Sequence, residues 1–109
     1  MRTVLHSNLA DGKWFAMTLP EQLGNIGSEF ERALKWKQKN QPEYFQNAFE
    51  RMLELLDLTL SDKRWHNHRL QELCRLREVA CEELTEKPQN PEGLKKYFLQ
   101  FAVLARTKI

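Results

Sequence analysis

The sequence has little of what several other fold classes need. It holds only 4 glycines and 4 prolines in 109 residues, too few for the many turns of a β-sandwich or barrel. No stretch approaches the 18 apolar residues of a membrane-spanning helix. The segment 1–8 lacks the apolar run of a secretory signal peptide. These absences predict a cytoplasmic protein with no membrane segment.

Cysteine and net charge are also sparse. Cys74 and Cys81 are seven positions apart on one predicted helix, which separates their Cα atoms by about 10 Å. That distance is too long for a disulfide bond between them, and two reduced thiols in a core fit the cytosol. The net charge of +2 is too small to indicate nucleic-acid binding by itself.

What is present is an ordinary globular composition, with 41% hydrophobic and 29% charged residues. The length indicates one domain. Three segments combine a polar capping residue, an early proline and a glutamate, which together favour the start of a helix. These segments are Thr18-Leu19-Pro20-Glu21, Asn40-Gln41-Pro42-Glu43 and Asn90-Pro91-Glu92.

Apolar residues at helical spacing predict four helices, at about 19–38, 42–61, 66–86 and 91–107. Short loops make sequential helices antiparallel. The predicted fold is therefore all-α, an up-down-up-down four-helix bundle over residues 18–109. Residues 1–17 are predicted to form a non-helical N-terminal arm, which Trp14, Phe15 and Met17 anchor to the bundle.

Two glycines lie inside the first predicted helix, at Gly24 and Gly27. Each costs about 1 kcal/mol of helix propensity relative to alanine. We therefore expect them to allow another helix to approach closely, rather than to form a phosphate-binding loop.

Arg77 lies within an apolar stripe of the third predicted helix. The stripe consists of Leu70, Leu73, Cys74, Arg77, Ala80, Cys81 and Leu84. A buried guanidinium needs a charged partner, and Glu29 of the first helix is expected at the same level. The sequence predicts a buried Arg77–Glu29 ion pair. The alternatives are an anion site at Arg77, or a rotated helix whose Arg77 reaches solvent.

A second candidate site mixes basic and aromatic side chains ahead of the third helix. Cations bind phosphates and aromatic rings stack on bases, so this segment is the candidate nucleic-acid patch. It comprises Lys63, Arg64, Trp65, His66, His68 and Arg69. A solvated, partly packed loop is the alternative. Because the two histidines project to different sides of a helix, no metal site is expected.

Several apolar side chains fall outside the predicted core stripes. They are Trp36, Leu58, Leu99 and Val103. Clustered exposed apolar residues indicate an interface, so self-association as a dimer is expected. Cover by the N-terminal arm is the alternative.

Five short segments resemble a family of small uncharacterised helical proteins of bacteria and archaea. They are Leu23-Gly24-Asn25-Ile26-Gly27-Ser28-Glu29, Trp36-Lys37, Ala48-Phe49-Glu50-Arg51, Leu55-Leu56-Asp57-Leu58-Thr59 and Leu76-Arg77-Glu78-Val79. The resemblance implies a helical fold and no activity. We therefore expect a non-catalytic interaction or scaffold module without a cofactor. The alternative is a nucleic-acid-binding or toxin–antitoxin-type helical module that uses residues 63–69.

Overall fold

The computed structural model describes residues 12–85 and 92–99, and within them the all-α bundle is confirmed. Helix α1 spans Leu19–Gln38, α2 spans Pro42–Ser61 and α3 spans His68–Thr85. Residues 92–99 are also helical, and we call them α4. Two 3₁₀ turns, Trp14–Ala16 and Lys63–Trp65, precede α1 and α3.

The start of α1 follows the predicted capping pattern. The Thr18 backbone N–H donates to Glu21 Oε1 at 2.8 Å, and the Glu21 N–H donates to Thr18 Oγ1 at 3.3 Å. This reciprocal pair is a capping box. It satisfies two backbone donors that the first helical turn leaves open.

The start of α2 differs from the prediction. Asn40 adopts a left-handed backbone with φ of 54° and belongs to the end of α1. The Gln41 N–H donates to the Trp36 carbonyl at 3.0 Å, and the Asn40 N–H donates to the Lys37 carbonyl at 3.2 Å, which is a Schellman motif. Asn40 is therefore not the N-cap of α2. The third predicted start, at Asn90-Pro91, lies outside the described residues.

Contacts at both ends of the bundle set the helix directions. Gln22 near the start of α1 bonds to Trp65 ahead of α3, and Lys37 near the end of α1 bonds to the Glu83 carbonyl in α3. Helices α1 and α3 therefore run in the same direction. Helix α2 returns between them after a short turn.

Helix α4 runs opposite to α1. Lys95 Nζ lies 3.9 Å from Glu31 of α1, and Phe98 lies against Gly27, one turn earlier in α1. A Cβ atom added to Gly27 would overlap the Phe98 side chain. The expectation that a glycine in α1 admits a neighbouring helix is confirmed at this position.

The N-terminal arm supplies the largest buried side chain in the described part. Trp14 is completely buried, while Phe15 and Met17 pack against the core from outside. The predicted anchoring is confirmed for these residues. Within this arm, Trp14–Ala16 forms a single 3₁₀ turn. Residues 1–11 lie outside the described part.

Helix α3 presents a different face to the core than predicted. Its buried apolar residues are Leu73, Leu76, Ala80 and Leu84, whereas Cys74 is exposed. The helix is rotated by about 50° from the predicted face at 100° per residue. The prediction that Cys74 and Arg77 lie in the core stripe is wrong, because Leu76 occupies the side of the stripe that faces inward.

Candidate functional site

Arg77 and Glu29 take part in separate ion pairs. Arg77 Nε lies 3.0 Å from Asp57 Oδ1, and the two side chains are 37% and 49% exposed. Glu29 accepts bonds from Arg32 Nη1 at 2.9 and 3.0 Å. The predicted buried Arg77–Glu29 pair is therefore wrong, and an exposed pair such as Arg77–Asp57 stabilises a fold by only about 0–1 kcal/mol.

The main buried polar arrangement lies where α1 begins and α2 ends. We call it the polar cluster, and it consists of Trp14, Gln22, Thr59, Asp62, Arg64 and Trp65. Gln22, fully buried, is its centre. Its amide nitrogen donates to the Trp14 carbonyl at 2.9 Å and to Asp62 Oδ2 at 3.1 Å. Its amide oxygen accepts from Trp65 Nε1 at 2.9 Å.

Trp14 joins the polar cluster through its indole as well. Trp14 Nε1 donates to Thr59 Oγ1 at 3.0 Å, and the Thr59 hydroxyl donates to the Leu55 carbonyl at 2.9 Å. The donors in this series of hydrogen bonds each have an acceptor, so the desolvation penalty of an unpaired polar group is avoided there. The arrangement connects the arm, α1, α2 and the α2–α3 connection.

Asp62 and Arg64 close the polar cluster on its solvent side. Arg64 Nη2 lies 2.6 Å from Asp62 Oδ2 and donates to the Met17 carbonyl at 2.7 Å. The Asp62 side chain is nearly buried. The hydrogen bond from the Arg64 side chain is the main cause that lowers the pKa of Asp62, and it outweighs the opposing effect of burial.

These contacts occupy the centre of the predicted nucleic-acid patch. The Arg64 guanidinium lies 4.5 Å from the centre of the Trp65 ring, and both side chains also bond within the polar cluster. His66 Nε2 lies 2.8 Å from the Leu60 carbonyl. Lys63 and Arg69 are exposed, and nothing is described of the His68 side chain. The geometry agrees with the partly packed loop that the sequence offered as an alternative.

The polar cluster contains three residues that the sequence reasoning missed. They are Gln22, Thr59 and Asp62. A signal existed for Gln22, because it stands at helical spacing between the apolar residues Leu19 and Ile26. A polar side chain in such a stripe indicates a buried hydrogen-bond partner.

The opposite end of the bundle carries a pair of aromatic side chains, of which Trp36 is half-buried and Tyr44 exposed. The rings of Trp36 and Tyr44 lie 4.8 Å apart, and Tyr44 is 55% exposed. Lys35 Nζ and Lys39 Nζ lie 5.1 and 5.7 Å from the centre of the Trp36 ring. We call these four residues the lysine–aromatic surface. Trp36 was predicted to be an interface residue, whereas Tyr44 was missed.

A second exposed apolar area lies between α3 and α4. A groove of about 240 Å³ is lined by Glu72, Arg75, Leu76, Val79, Leu94 and Tyr97. We call it the α3–α4 groove. Val79 is 37% and Tyr97 is 39% exposed. The exposure of Val79 and Tyr97 makes the groove a candidate protein interface.

Two of the other predicted interface residues, Leu58 and Leu99, are not among those that line the α3–α4 groove. Leu99 is 55% exposed and, two residues after Tyr97, projects from a different side of α4. Leu58 packs against the core, so the prediction that it faces solvent is wrong. Val103 lies outside the described residues.

The described residues contain neither a metal-binding group of side chains nor a membrane-spanning helix. Within residues 12–85 and 92–99, no three His, Cys, Asp or Glu side chains are grouped to hold a metal ion. None of the helices in this part is long and apolar enough to cross a bilayer.

Comparison with known proteins adds no relative. No protein-family model, curated protein or solved structure matches this chain. The resemblance to a family of small helical proteins therefore stays a prediction. The lysine–aromatic surface, the α3–α4 groove and the polar cluster are the features of the molecule that bear on its function.

Proposed function

We propose that the protein is a non-catalytic interaction module that self-associates through the α3–α4 groove. The observation that carries the proposal is the exposure of Val79 and Tyr97 beside this groove. Burying them against a second copy would remove apolar area from water, at roughly 25 cal/mol per Å². A symmetric dimer needs a surface that fits itself.

The charges at the groove support a copy of the same chain as the partner. Glu72 and Arg75 both line the groove and are exposed. In a two-fold contact, Arg75 of one copy can face Glu72 of the other, and the same pair forms twice. Opposite charges on one face thus make the surface complementary to itself.

The lysine–aromatic surface is a poorer place for a second copy. Lys35 and Lys39 both lie over Trp36. A two-fold contact centred on Trp36 would place lysines against lysines, which is unfavourable. We therefore assign self-association to the α3–α4 groove rather than to Trp36.

The polar cluster supports a non-catalytic assignment. Gln22, Thr59 and Asp62 all bond to groups of the fold itself. Glu29 pairs with Arg32, and Glu54 also has an interaction partner. The buried polar side chains in the described part of the chain thus contribute to holding the fold. The nucleic-acid alternative would need Arg64 and Trp65 to leave these contacts, and we do not propose it.

Light scattering on a size-exclusion column, over a series of protein concentrations, tests the proposal. We expect wild type to associate as concentration rises, and Arg75→Glu to be monomeric because it sets two carboxylates against each other. The exchange Glu72→Arg with Arg75→Glu should restore association, since the pair forms again with its charges reversed. Val79→Glu should abolish it.

Three outcomes would contradict this account. A wild type that stays monomeric throughout would exclude self-association. Association that persists in Val79→Glu but is lost in Leu99→Glu would place the contact on the other side of α4. Failure of the charge exchange to restore what Arg75→Glu removes would exclude the pairing of Glu72 with Arg75.

A cytoplasmic location remains part of the proposal. Cys74 and Cys81 are free thiols in the structure, and free thiols persist in a reducing compartment. Fractionation of cells that express a tagged chain tests it, and recovery of the chain in a membrane or secreted fraction would contradict it.

A further inference from the structure

Positive charge is concentrated at one end of α1. The segment 32–41 contains Arg32, Lys35, Lys37 and Lys39 and no acidic residue, whereas the whole chain has a net charge of only +2. The three lysines lie in the last turn of α1 or directly after it. Lysine in the last turn of a helix interacts favourably with the negative end of the helix dipole. That interaction explains the lysines but does not explain the aromatic pair beside them.

Two of these lysines are directed to the aromatic pair rather than to carboxylates. The ion pairs between described residues do not include Lys35 or Lys39. Glu31, one turn before Lys35, lies near Lys95 instead. The ammonium groups of Lys35 and Lys39 remain over Trp36, at 5.1 and 5.7 Å from its ring centre.

The start of α2 brings both signs of charge to this end, because the exposed carboxylate of Glu43 lies in its first turn beside the partial positive charge of the helix N-terminus. Gln41, its N-cap residue, makes no side-chain capping bond. The first turn of a helix carries a partial positive charge from its unpaired N–H groups. These groups lie next to the lysine–aromatic surface, because Tyr44 belongs to the first turn of α2.

A groove adjoins the lysine–aromatic surface at the α1–α2 turn. Its volume is about 430 Å³, and it is lined by Trp36, Lys37, Asn40, Gln41, Pro42 and Phe45. Ligand pockets of proteins span roughly 300–1,000 Å³. Trp36, Pro42 and Phe45 make it largely apolar. The exposed amides of Asn40 and Gln41 can donate to or accept from a peptide backbone.

We propose that this end of the bundle binds an acidic peptide segment of another protein, with one apolar side chain in the groove and its carboxylates on Lys35 and Lys39. The apolar lining of the groove would bind the apolar side chain of the peptide. The two lysines would bind the acidic residues on either side of it. This second binding surface goes beyond self-association and does not depend on it, because the α3–α4 groove is lined by other residues.

A peptide fits this surface better than a nucleic acid does. A nucleobase would have to stack on an exposed ring, yet the half-buried Trp36 ring lies at a tilt against Tyr44 and has two ammonium groups over it. The apolar groove and its two amides match an aliphatic or aromatic side chain and its adjoining backbone.

Fluorescence anisotropy tests the proposal with a short labelled peptide that has a single Phe between two runs of Glu. We expect saturable binding that weakens as salt is added. Replacing Phe with Gly in the peptide should weaken binding about tenfold, since the groove then stays empty. The variant Lys35→Glu with Lys39→Glu should also weaken it at least about tenfold.

Lys63→Glu is the matched control variant. Lys63 is exposed and follows the other end of α2, about 30 Å away along a 20-residue helix. It makes the same charge change as Lys35→Glu or Lys39→Glu alone and half that of the double variant, and we expect it to leave peptide affinity within about twofold. Circular dichroism checks that each variant keeps its helices, and light scattering checks that peptide binding leaves self-association unchanged.

Four results would overturn the proposal. They are absence of peptide binding to wild type, equal weakening by Lys63→Glu, equal affinity for the Gly-containing peptide, and stronger binding of labelled oligothymidine than of the peptide. The third would mean that only charge attracts the peptide, and the fourth would mean that the surface prefers nucleic acid.

Discussion

Gln22 connects more parts of the molecule than any other polar residue described. Its amide bonds to the arm through the Trp14 carbonyl, to the α2–α3 connection through Asp62, and to Trp65. Asparagine and glutamine amides can donate and accept at once. This buried residue therefore gives the Trp65 indole N–H its acceptor. It also adds a donor to the Trp14 carbonyl and to Asp62, which accept from the Met17 N–H and from Arg64 as well.

Gln22→Leu should destabilise the fold by about 3 kcal/mol. Leucine is similar in size, but it leaves the Trp65 indole N–H without its acceptor and removes one of the two hydrogen bonds to the Trp14 carbonyl, which keeps the one from the Met17 N–H. Urea denaturation measures the change in the free energy of unfolding. The matched control is Gln38→Leu at the exposed end of the same helix, which should change it by less than about 0.5 kcal/mol. Equal effects of the two substitutions would contradict the role assigned to Gln22.

The Asp62–Arg64 pair makes stability depend on pH. Because the pKa of Asp62 is lowered from its ordinary value of 3.8 in the folded state, the carboxylate binds a proton more readily in the unfolded chain. The pair's contribution is present above that value and is lost as pH falls through the folded-state pKa. We expect Asp62→Asn to lower stability more near pH 7 than near pH 3. An equal loss at both pH values in urea denaturation would contradict this.

At the scale of the helix, Gly27 shows how one missing methyl group determines packing. Phe98 of α4 lies directly over Gly27, and its ring contacts the Phe30 ring at a tilt, with ring centres 5.6 Å apart. The glycine costs α1 about 1 kcal/mol of helix propensity. Close contact between α1 and α4 compensates for that cost.

Gly27→Ala should destabilise the fold by about 1–3 kcal/mol, although alanine is the better helix former. The added methyl group overlaps the Phe98 side chain, and overpacking of this kind forces helices apart. Thermal unfolding measures the effect, with the exposed neighbour Ser28→Ala as control. A Gly27→Ala variant as stable as the control would show that α4 does not pack tightly here.

The bounds of the first two helices could be predicted, because local chemistry sets them. Pro20 and Pro42 mark the starts of α1 and α2, and the structure has Leu19–Gln38 and Pro42–Ser61. Asn40 was misassigned because asparagine suits both an N-cap and a left-handed residue that ends a helix. The backbone conformation of the α1–α2 turn decides which of these two roles Asn40 has.

The inward face of α3 could not be predicted with the same certainty. Cys74 and Leu76 lie on opposite flanks of Leu73, and either could complete an apolar stripe. The contacts with α1 and α2 choose Leu76 and leave Arg77 near solvent beside Asp57. Rotation about a helix axis depends on packing between helices, which periodicity within one helix does not determine.

At the scale of the whole molecule, the two ends of the bundle differ in chemistry. The end that holds the polar cluster is closed by internal bonds to Trp14 and Trp65. The other end presents Trp36 with lysines around it. The basic–aromatic composition of residues 63–69 suggested a binding surface, but composition alone does not show that a side chain is already bonded inside the fold.

Three tryptophans report separately on these regions. Trp14 is in the core, Trp65 in the polar cluster and Trp36 on the lysine–aromatic surface. Self-association through the α3–α4 groove should leave all three indole signals unchanged. A bound acidic peptide should shift that of Trp36. The two binding surfaces can therefore be followed in one sample.

A dilution series recorded by two-dimensional ¹H–¹⁵N NMR tests the central claim most directly. Self-association through the α3–α4 groove predicts that signals of Arg75, Val79 and Tyr97 move with protein concentration, while the Trp36 indole signal stays in place. Signals that do not depend on concentration would contradict self-association. Movement of the Trp36 signal without that of Val79 would place the contact at the wrong end of the molecule.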